Sequence, residues 1–275
     1  MNGAIGVFDS GIGGLTVLKE IIRLLPFEDT LYLGDTARVP YGTKSKETVT
    51  DYSIENSSFL IDKGLKILVV ACNTASAYCL PRLKDLFSLP VVGVIDPGVK
   101  RAVIISEKKR IGIIGTEGTI RSGAYQSAIM AIDEGIEVFP MACPLFVPLA
   151  EEGWLNNNVA VSATKMYLKD FKYKCIDTLV LGCTHYPLLK GTIGKVVGDG
   201  VTLVDSAEET AKEVKRILKE EGGLAAKKEA SHRFFVTDSP ERFERVGRPF
   251  LGDGLKGVEL ITEKKSSDIR YFTTA

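Results

Sequence analysis

Leu68-Val69-Val70-Ala71-Cys72-Asn73-Thr74-Ala75-Ser76 and Thr178-Leu179-Val180-Leu181-Gly182-Cys183-Thr184-His185-Tyr186-Pro187 decide the fold. In each stretch a short apolar run ends in a cysteine with a threonine close behind. Runs of this length read as buried strands. The small polar residues that follow mark the turn out of the strand. A buried strand would carry its thiol to the C-terminal end, where open α/β sheets bind their ligands. Two thiols delivered alike by two parts of one chain point to one site between them.

Working outward, Ala4-Ile5-Gly6-Val7-Phe8 reads as another strand, running into Asp9-Ser10-Gly11-Ile12-Gly13-Gly14. Leu15, Val17, Leu18, Ile21, Ile22 and Leu25 follow at helical spacing. Glycines in such a turn let the backbone approach a ligand, and a helix start offers N–H groups to an anion. The same glycines also suit a tight turn that binds nothing. The dinucleotide fingerprint and the Walker lysine are both absent. Thr30 to Leu33 reads as a strand, Gly34 to Thr43 as a plain polar connection, and Lys46 to Lys63 as an amphipathic helix. Val91 to Ile95 reads as a strand stopped by Asp96-Pro97-Gly98.

The pattern then restarts. Arg110-Ile111-Gly112-Ile113-Ile114-Gly115-Thr116-Glu117-Gly118-Thr119-Ile120 resembles Ile5 to Ile12, and aligning Asp9 with Gly115 places Cys72 and Cys183 at similar distances downstream. That is a diverged internal repeat of one α/β unit. It predicts an α/β fold of two similar doubly wound lobes related by a pseudo-two-fold axis, with the active site in the cleft between them. Val159 to Phe171 reads as helix, Val201 to Val204 as strand, and Asp205 as the N-cap of a helix through Leu218. Arg233 to Thr237 reads as strand and Pro240 to Val246 as helix. Residues 1–96 and 206–262 are expected to form a discontinuous N-terminal lobe and 97–205 the second lobe. Residues 263–275 read as a polar tail that frays.

The chain has 275 residues, 45% hydrophobic and 25% charged, the profile of a globular protein. Its 35 basic and 35 acidic side chains balance, so nothing calls for nucleic acid or an anionic membrane. No apolar run reaches the roughly 18 residues of a membrane span. The N-terminus shows no signal-peptide pattern. Five cysteines are an odd number in a long chain, which argues for a reducing cytoplasm rather than a disulfide framework. Cys79, Cys143 and Cys175 read as packing residues.

Cys72 and Cys183 read differently, because the repeat places them alike. A thiol of ordinary pKa near 8.5 falls toward neutrality beside a helix start or a histidine such as His185. Zinc would need about four ligands at short spacings, and the chain has no Cys-x-x-Cys and only two histidines. No metal is therefore expected. A cysteine hydrolase built on Cys183 and His185 would leave Cys72 unexplained. A small-anion-binding protein would use the Asp9–Gly14 turn and explain neither thiol. Two opposed thiols suit the transfer of a proton from one face of a carbon to the other. The carbanion beside a carboxylate would need hydroxyls and N–H groups arranged around that carboxylate. Ser10, Thr74, Thr116 and Thr184 supply such hydroxyls.

Asp9–Gly14, Gly34-Asp35-Thr36-Ala37-Arg38-Val39-Pro40-Tyr41-Gly42, Ala71–Ser76 and Gly182–Pro187, taken together and in this order, strongly resemble the glutamate racemases of the aspartate/glutamate racemase family. Gly115-Thr116-Glu117 and Ile120 to Tyr125 add to the match, which covers most of the chain. The resemblance implies interconversion of L- and D-glutamate without cofactor or metal, supplying D-glutamate for peptidoglycan. It implies Cys72 as the base toward D-glutamate and Cys183 as the base toward L-glutamate. Asp9 would assist near Cys72, His185 near Cys183, and Glu151 would be an auxiliary acid. Asp9, Ser10, Tyr41, Gly42, Asn73, Thr74, Thr116, Thr119, Thr184 and His185 would hold the substrate. A homodimer in the cytoplasm is expected, without nucleic-acid or membrane partners. The alternatives are a racemase for aspartate or another amino acid, or a non-catalytic anion-binding protein. Family members usually carry Ala where this chain has Gly118, and Glu where it has Asp96.

Overall fold

Apolar runs bounded by Gly, Asp and Pro build the strands of this protein, seen in a computed structural model that describes residues 3–226, 229–265 and 270–274. In chain order the strands are β1 (Ala4–Asp9), β2 (Thr30–Gly34), β3 (Leu65–Val70), β4 (Val91–Gly93), β5 (Arg110–Gly115), β6 (Glu137–Ala142), β7 (Thr178–Gly182), β8 (Thr202–Asp205), β9 (His232–Val236), β10 (Val258–Lys265) and β11 (Arg270–Thr274). They form a seven-stranded sheet, β11-β10-β9-β2-β1-β3-β4, and a four-stranded sheet, β6-β5-β7-β8. All pairings are parallel except that of β10 with β11.

The repeat is visible in the strand order. β2-β1-β3-β4 of the first sheet corresponds member for member to β6-β5-β7-β8 of the second. β1 ends at Asp9 and β5 at Gly115. The third strand of each unit runs out just before its cysteine, Cys72 after β3 and Cys183 after β7.

Each sheet is covered on both faces, so its central strands are apolar throughout, as parallel sheets require. In β1 and β3, Ile5, Val7, Ile67 and Val69 pack with Leu15, Leu18, Val214 and Phe243. Their neighbours Phe8, Leu68 and Val70 pack on the other face with Val49, Leu60, Leu80 and Leu83. The second sheet repeats this. Ile114, Leu179 and Leu181 face Phe146, Leu168 and Ile193, while Ile111, Ile113 and Val180 face Val99, Ala102 and Ile129. Three-layered lobes of this kind hold the C-terminal strand ends together at one edge, from which Cys72 and Cys183 leave β3 and β7.

Several expectations are corrected. Asp96-Pro97-Gly98 does not stop a strand but forms the first turn of the helix Ile95–Ile105. A proline there removes an N–H that has no intrahelical acceptor anyway. β6 gave no sequence signal because it is a half-buried edge strand interrupted by Pro140. The polar run from Lys264 hides a hairpin: backbone 261–265 pairs antiparallel with 270–274. Residues 266–269 and 275 of the expected tail lie outside the described residues. Cys79 and Cys143 are buried as expected, but Cys175 is exposed, at a left-handed backbone position (φ 48°) that ends a short helical turn. No helix among the described residues is long and apolar enough to cross a membrane.

Candidate active site

Cys72 and Cys183 line one cavity, shared with Ser10, Gly11, Val39, Pro40, Tyr41, Gly42, Asn73, Thr74, Thr116, Val147, Glu151, Thr184 and His185. Ser10, Tyr41 and Cys72 come from the lobe of the first sheet. Thr116, Glu151 and Cys183 come from that of the second.

Cys72 is the N-cap of the 14-residue helix Asn73–Leu86. Its Sγ lies 3.6 Å from Ser10 Oγ. Burial pushes this thiol up to about 12, and the nearby Asp9 carboxylate adds to the effect. The Ala75 backbone N–H at the helix start and the Ser10 hydroxyl pull the other way and lose. The expected drop toward neutrality is therefore absent: desolvation outweighs the helix start.

Cys183 is reached differently. Its strand ends at Gly182, and the chain turns through a single 3-10 turn, Tyr186–Leu189, before the helix Lys190–Val197. Its Sγ lies 3.9 Å from His185 Nδ1. His185 Nε2 lies 3.2 Å from Glu151 Oε1, and Glu151 Oε2 lies 3.2 Å from Arg242 Nη2. Burial alone would strip the proton from His185. The hydrogen bonds to Cys183 and Glu151 and the charges of Cys183 and Asp9 reverse this and hold it up to about 10. The His185 hydrogen bond, helped by Arg242, keeps the Glu151 carboxyl below its usual range despite partial burial.

Asp9 is fully buried and sits behind the cavity lining, against Gly11 and Thr184, which do line it. Its Oδ2 accepts from the Gly11 N–H at 2.9 Å, and its Oδ1 accepts from Thr184 Oγ1 at 3.4 Å across the cleft. The glycine turn thus directs an N–H at its own aspartate rather than at a ligand. Burial raises the Asp9 carboxyl, opposed by His185 and these donors. Asp9 thus raises the Cys72 thiol on one side and helps His185 keep its proton on the other.

Hydroxyls join the lobes on the Cys72 side. Thr74, Thr116 and Thr119 form a triangle with oxygen separations of 2.9, 3.1 and 3.0 Å. Thr119 stands behind Thr74 and Thr116, which line the cavity, and bonds to both. The Tyr125 hydroxyl donates to Asn73 Oδ1 at 2.6 Å, which leaves the Asn73 amide N–H groups as donors. Tyr41 places its ring in the cavity wall, while its hydroxyl is engaged by Asp35 and by Asn56. The Gly34–Thr43 connection, read from the sequence as plain, contributes four lining residues, Val39 to Gly42.

Close approach across the cleft requires glycine at two positions. A Cβ on Gly13 would collide with Thr184 Oγ1 and lie 2.5 Å from His185 Nδ1. A Cβ on Gly118 would lie 2.8 Å from the Gly42 carbonyl oxygen. Among the described residues, no cluster of His, Cys, Asp and Glu could hold a metal ion.

Known proteins share this chain's sequence and fold over most of its length. The model of the family described as Asp/Glu/hydantoin racemase matches residues 5–214. A curated glutamate racemase of Geobacter metallireducens is 58% identical over 93% of this chain and 95% of its own length. The crystal structure of a Bacillus anthracis glutamate racemase superposes with a TM-score of 0.91 at 44% identity, over 94% of this chain and 97% of that one. That of the Francisella tularensis glutamate racemase, in complex with D-glutamate, superposes with a TM-score of 0.89 at 40% identity, again over 94% and 97%.

Proposed function

The chain belongs to the Asp/Glu/hydantoin racemase family, and from that premise we propose that it is a glutamate racemase working by two-thiol proton transfer. The observation that carries this reading is that Cys72 and Cys183 line one cavity from opposite lobes. With L-glutamate as substrate, Cys183 as thiolate removes the α-proton and the Cys72 thiol delivers its own proton to the opposite face, giving D-glutamate. The enzyme is left with a Cys183 thiol and a Cys72 thiolate, the state that runs the reverse reaction. Proton count and charge are conserved in each half, and no electron leaves the substrate.

The carbanion formed between the two steps is delocalised into the adjacent carboxylate. Ser10, Thr74, Thr116 and Thr184 offer hydroxyls there, and Asn73 an amide. The protonated His185 stands 3.9 Å from Cys183 Sγ, within reach of the proton that this thiol takes or gives. Cys72, held high by burial and Asp9, is suited to deliver a proton. When it must act as base, the substrate ammonium entering the cavity supplies the positive charge that favours its thiolate. Glutamate enters by the cleft, and its product D-glutamate serves peptidoglycan synthesis in the cytoplasm. A homodimer is the working form.

Incubation with L-glutamate in deuterated water, with chelator and without pyridoxal phosphate, tests the reading. The expected result is loss of optical rotation matched by deuterium at the α-carbon. Absence of exchange under reducing conditions would reject the proposal, and equally fast turnover of aspartate would reject glutamate as the specific substrate.

A further inference from the structure

The helix Pro240–Leu251 packs on the lobe of the first sheet, yet two of its side chains reach the catalytic histidine's surroundings in the other lobe. Phe250 meets the His185 ring edge-on, with centroids 5.6 Å apart at 86°. Arg242 meets Glu151. The two oxygens of Glu151 are divided: one faces the imidazole at 3.2 Å, the other the guanidinium at 3.2 Å. A carboxylate held at one oxygen can turn about its last bond, while one held at both is fixed. A planar guanidinium is suited to fix it.

We propose that Arg242 is a positioning residue for the Cys183 half of the proton transfer, acting through Glu151 and His185. The inference rests on the two-thiol reading above. The groups facing this chain are Cys183, Glu151 and Asp9 around His185, and His185 and Arg242 around Glu151. Without the guanidinium, Glu151 is free to turn toward solvent. His185 then loses its anchor at Nε2, and its Nδ1 no longer keeps its place beside Cys183 Sγ. Cys72 has no comparable chain, since its partners are Ser10 and the start of its own helix. The effect should therefore be one-sided. Arg242 is 49% exposed in its side chain, and ion pairs this exposed add little to folding stability.

The test compares wild type, R242A and R242K with L- and D-glutamate, each carrying protium or deuterium at the α-carbon. The enantiomers have equal free energy, so kcat/KM must fall equally in both directions. The one-sidedness is read instead in the deuterium isotope effect. R242A should lose about tenfold in kcat/KM. Its isotope effect should grow with L-glutamate, whose α-proton Cys183 removes, and should shrink with D-glutamate, where Cys183 acts only in the step that does not break the labelled bond. R242K should remain within about twofold of wild type, and melting temperatures should not move. Wild-type kinetics and isotope effects in R242A would overturn the proposal. So would equal losses in R242A and R242K with lowered melting temperatures, the mark of a purely structural role. A wild-type enzyme that does not exchange the α-proton of glutamate would be seen before any variant is made, and would sink the racemase reading itself.

Discussion

The two cysteine turns begin alike and end differently. Each thiol leaves the C-terminal end of the third strand of its unit. Beyond that point Cys72 meets a 14-residue helix, a serine and a buried aspartate, whereas Cys183 meets a histidine, a glutamate and, through it, an arginine from the other lobe. Repetition of the backbone therefore fixes where the two sulfurs sit. Divergence of the side chains gives them unlike electrostatic settings, a burial-raised thiol on one side and a protonated imidazole on the other. A reaction whose substrate and product are mirror images does not need mirror-image bases, because only the free-energy balance between the enantiomers is symmetric.

The comparison is broken most directly at the sulfurs. Cys72→Ser or Cys183→Ser should each lower kcat for racemisation by about 10³-fold or more, since either direction uses both faces. Circular dichroism of the glutamate reports it, and near-normal turnover by either variant would end the two-base account. His185→Asn should come next, at about 10²-fold in kcat/KM. It removes the charge beside Cys183 and leaves Ser10 and the Cys72 helix untouched. Alkylation of Cys183 by iodoacetamide, followed on a Cys72→Ser background, should slow in the same variant.

Gly13→Ala sharpens the comparison from the backbone side. Its new methyl meets Thr184 and His185, so the Cys183 turn must retreat from the first lobe. A loss of about 1–3 kcal/mol in stability is expected from urea unfolding, with activity falling as well. The smallest expected effect is on the pH dependence of melting. His185 holds its proton to about 10 in the fold against an ordinary 6.5, so its stabilisation is complete below pH 6.5 and is lost as pH rises toward 10. Cys72, held at about 12, keeps its proton above pH 9, where the unfolded thiol has lost it, and this pushes stability in the same direction. The melting temperature should fall from pH 6.5 to 10, and less steeply in His185→Asn.

The two units, the strands that carry the thiols and the family that the motifs resemble are legible along the chain. Those features are local: an apolar run, a glycine turn and a cysteine at the strand end are written in consecutive residues, and the repeat writes them twice. What those residues touch depends on how the lobes pack. Asp9 and Thr119 sit one layer behind the cavity wall and bond to residues that form it, Gly11 with Thr184 and Thr74 with Thr116. Arg242 and Phe250 gave no motif at all, since their partners lie about ninety and sixty-five positions away. The Cys72 thiol was expected to fall in pKa and instead rises. A helix start can be read along the chain, but desolvation is set by everything that packs around the sulfur once the lobes have closed.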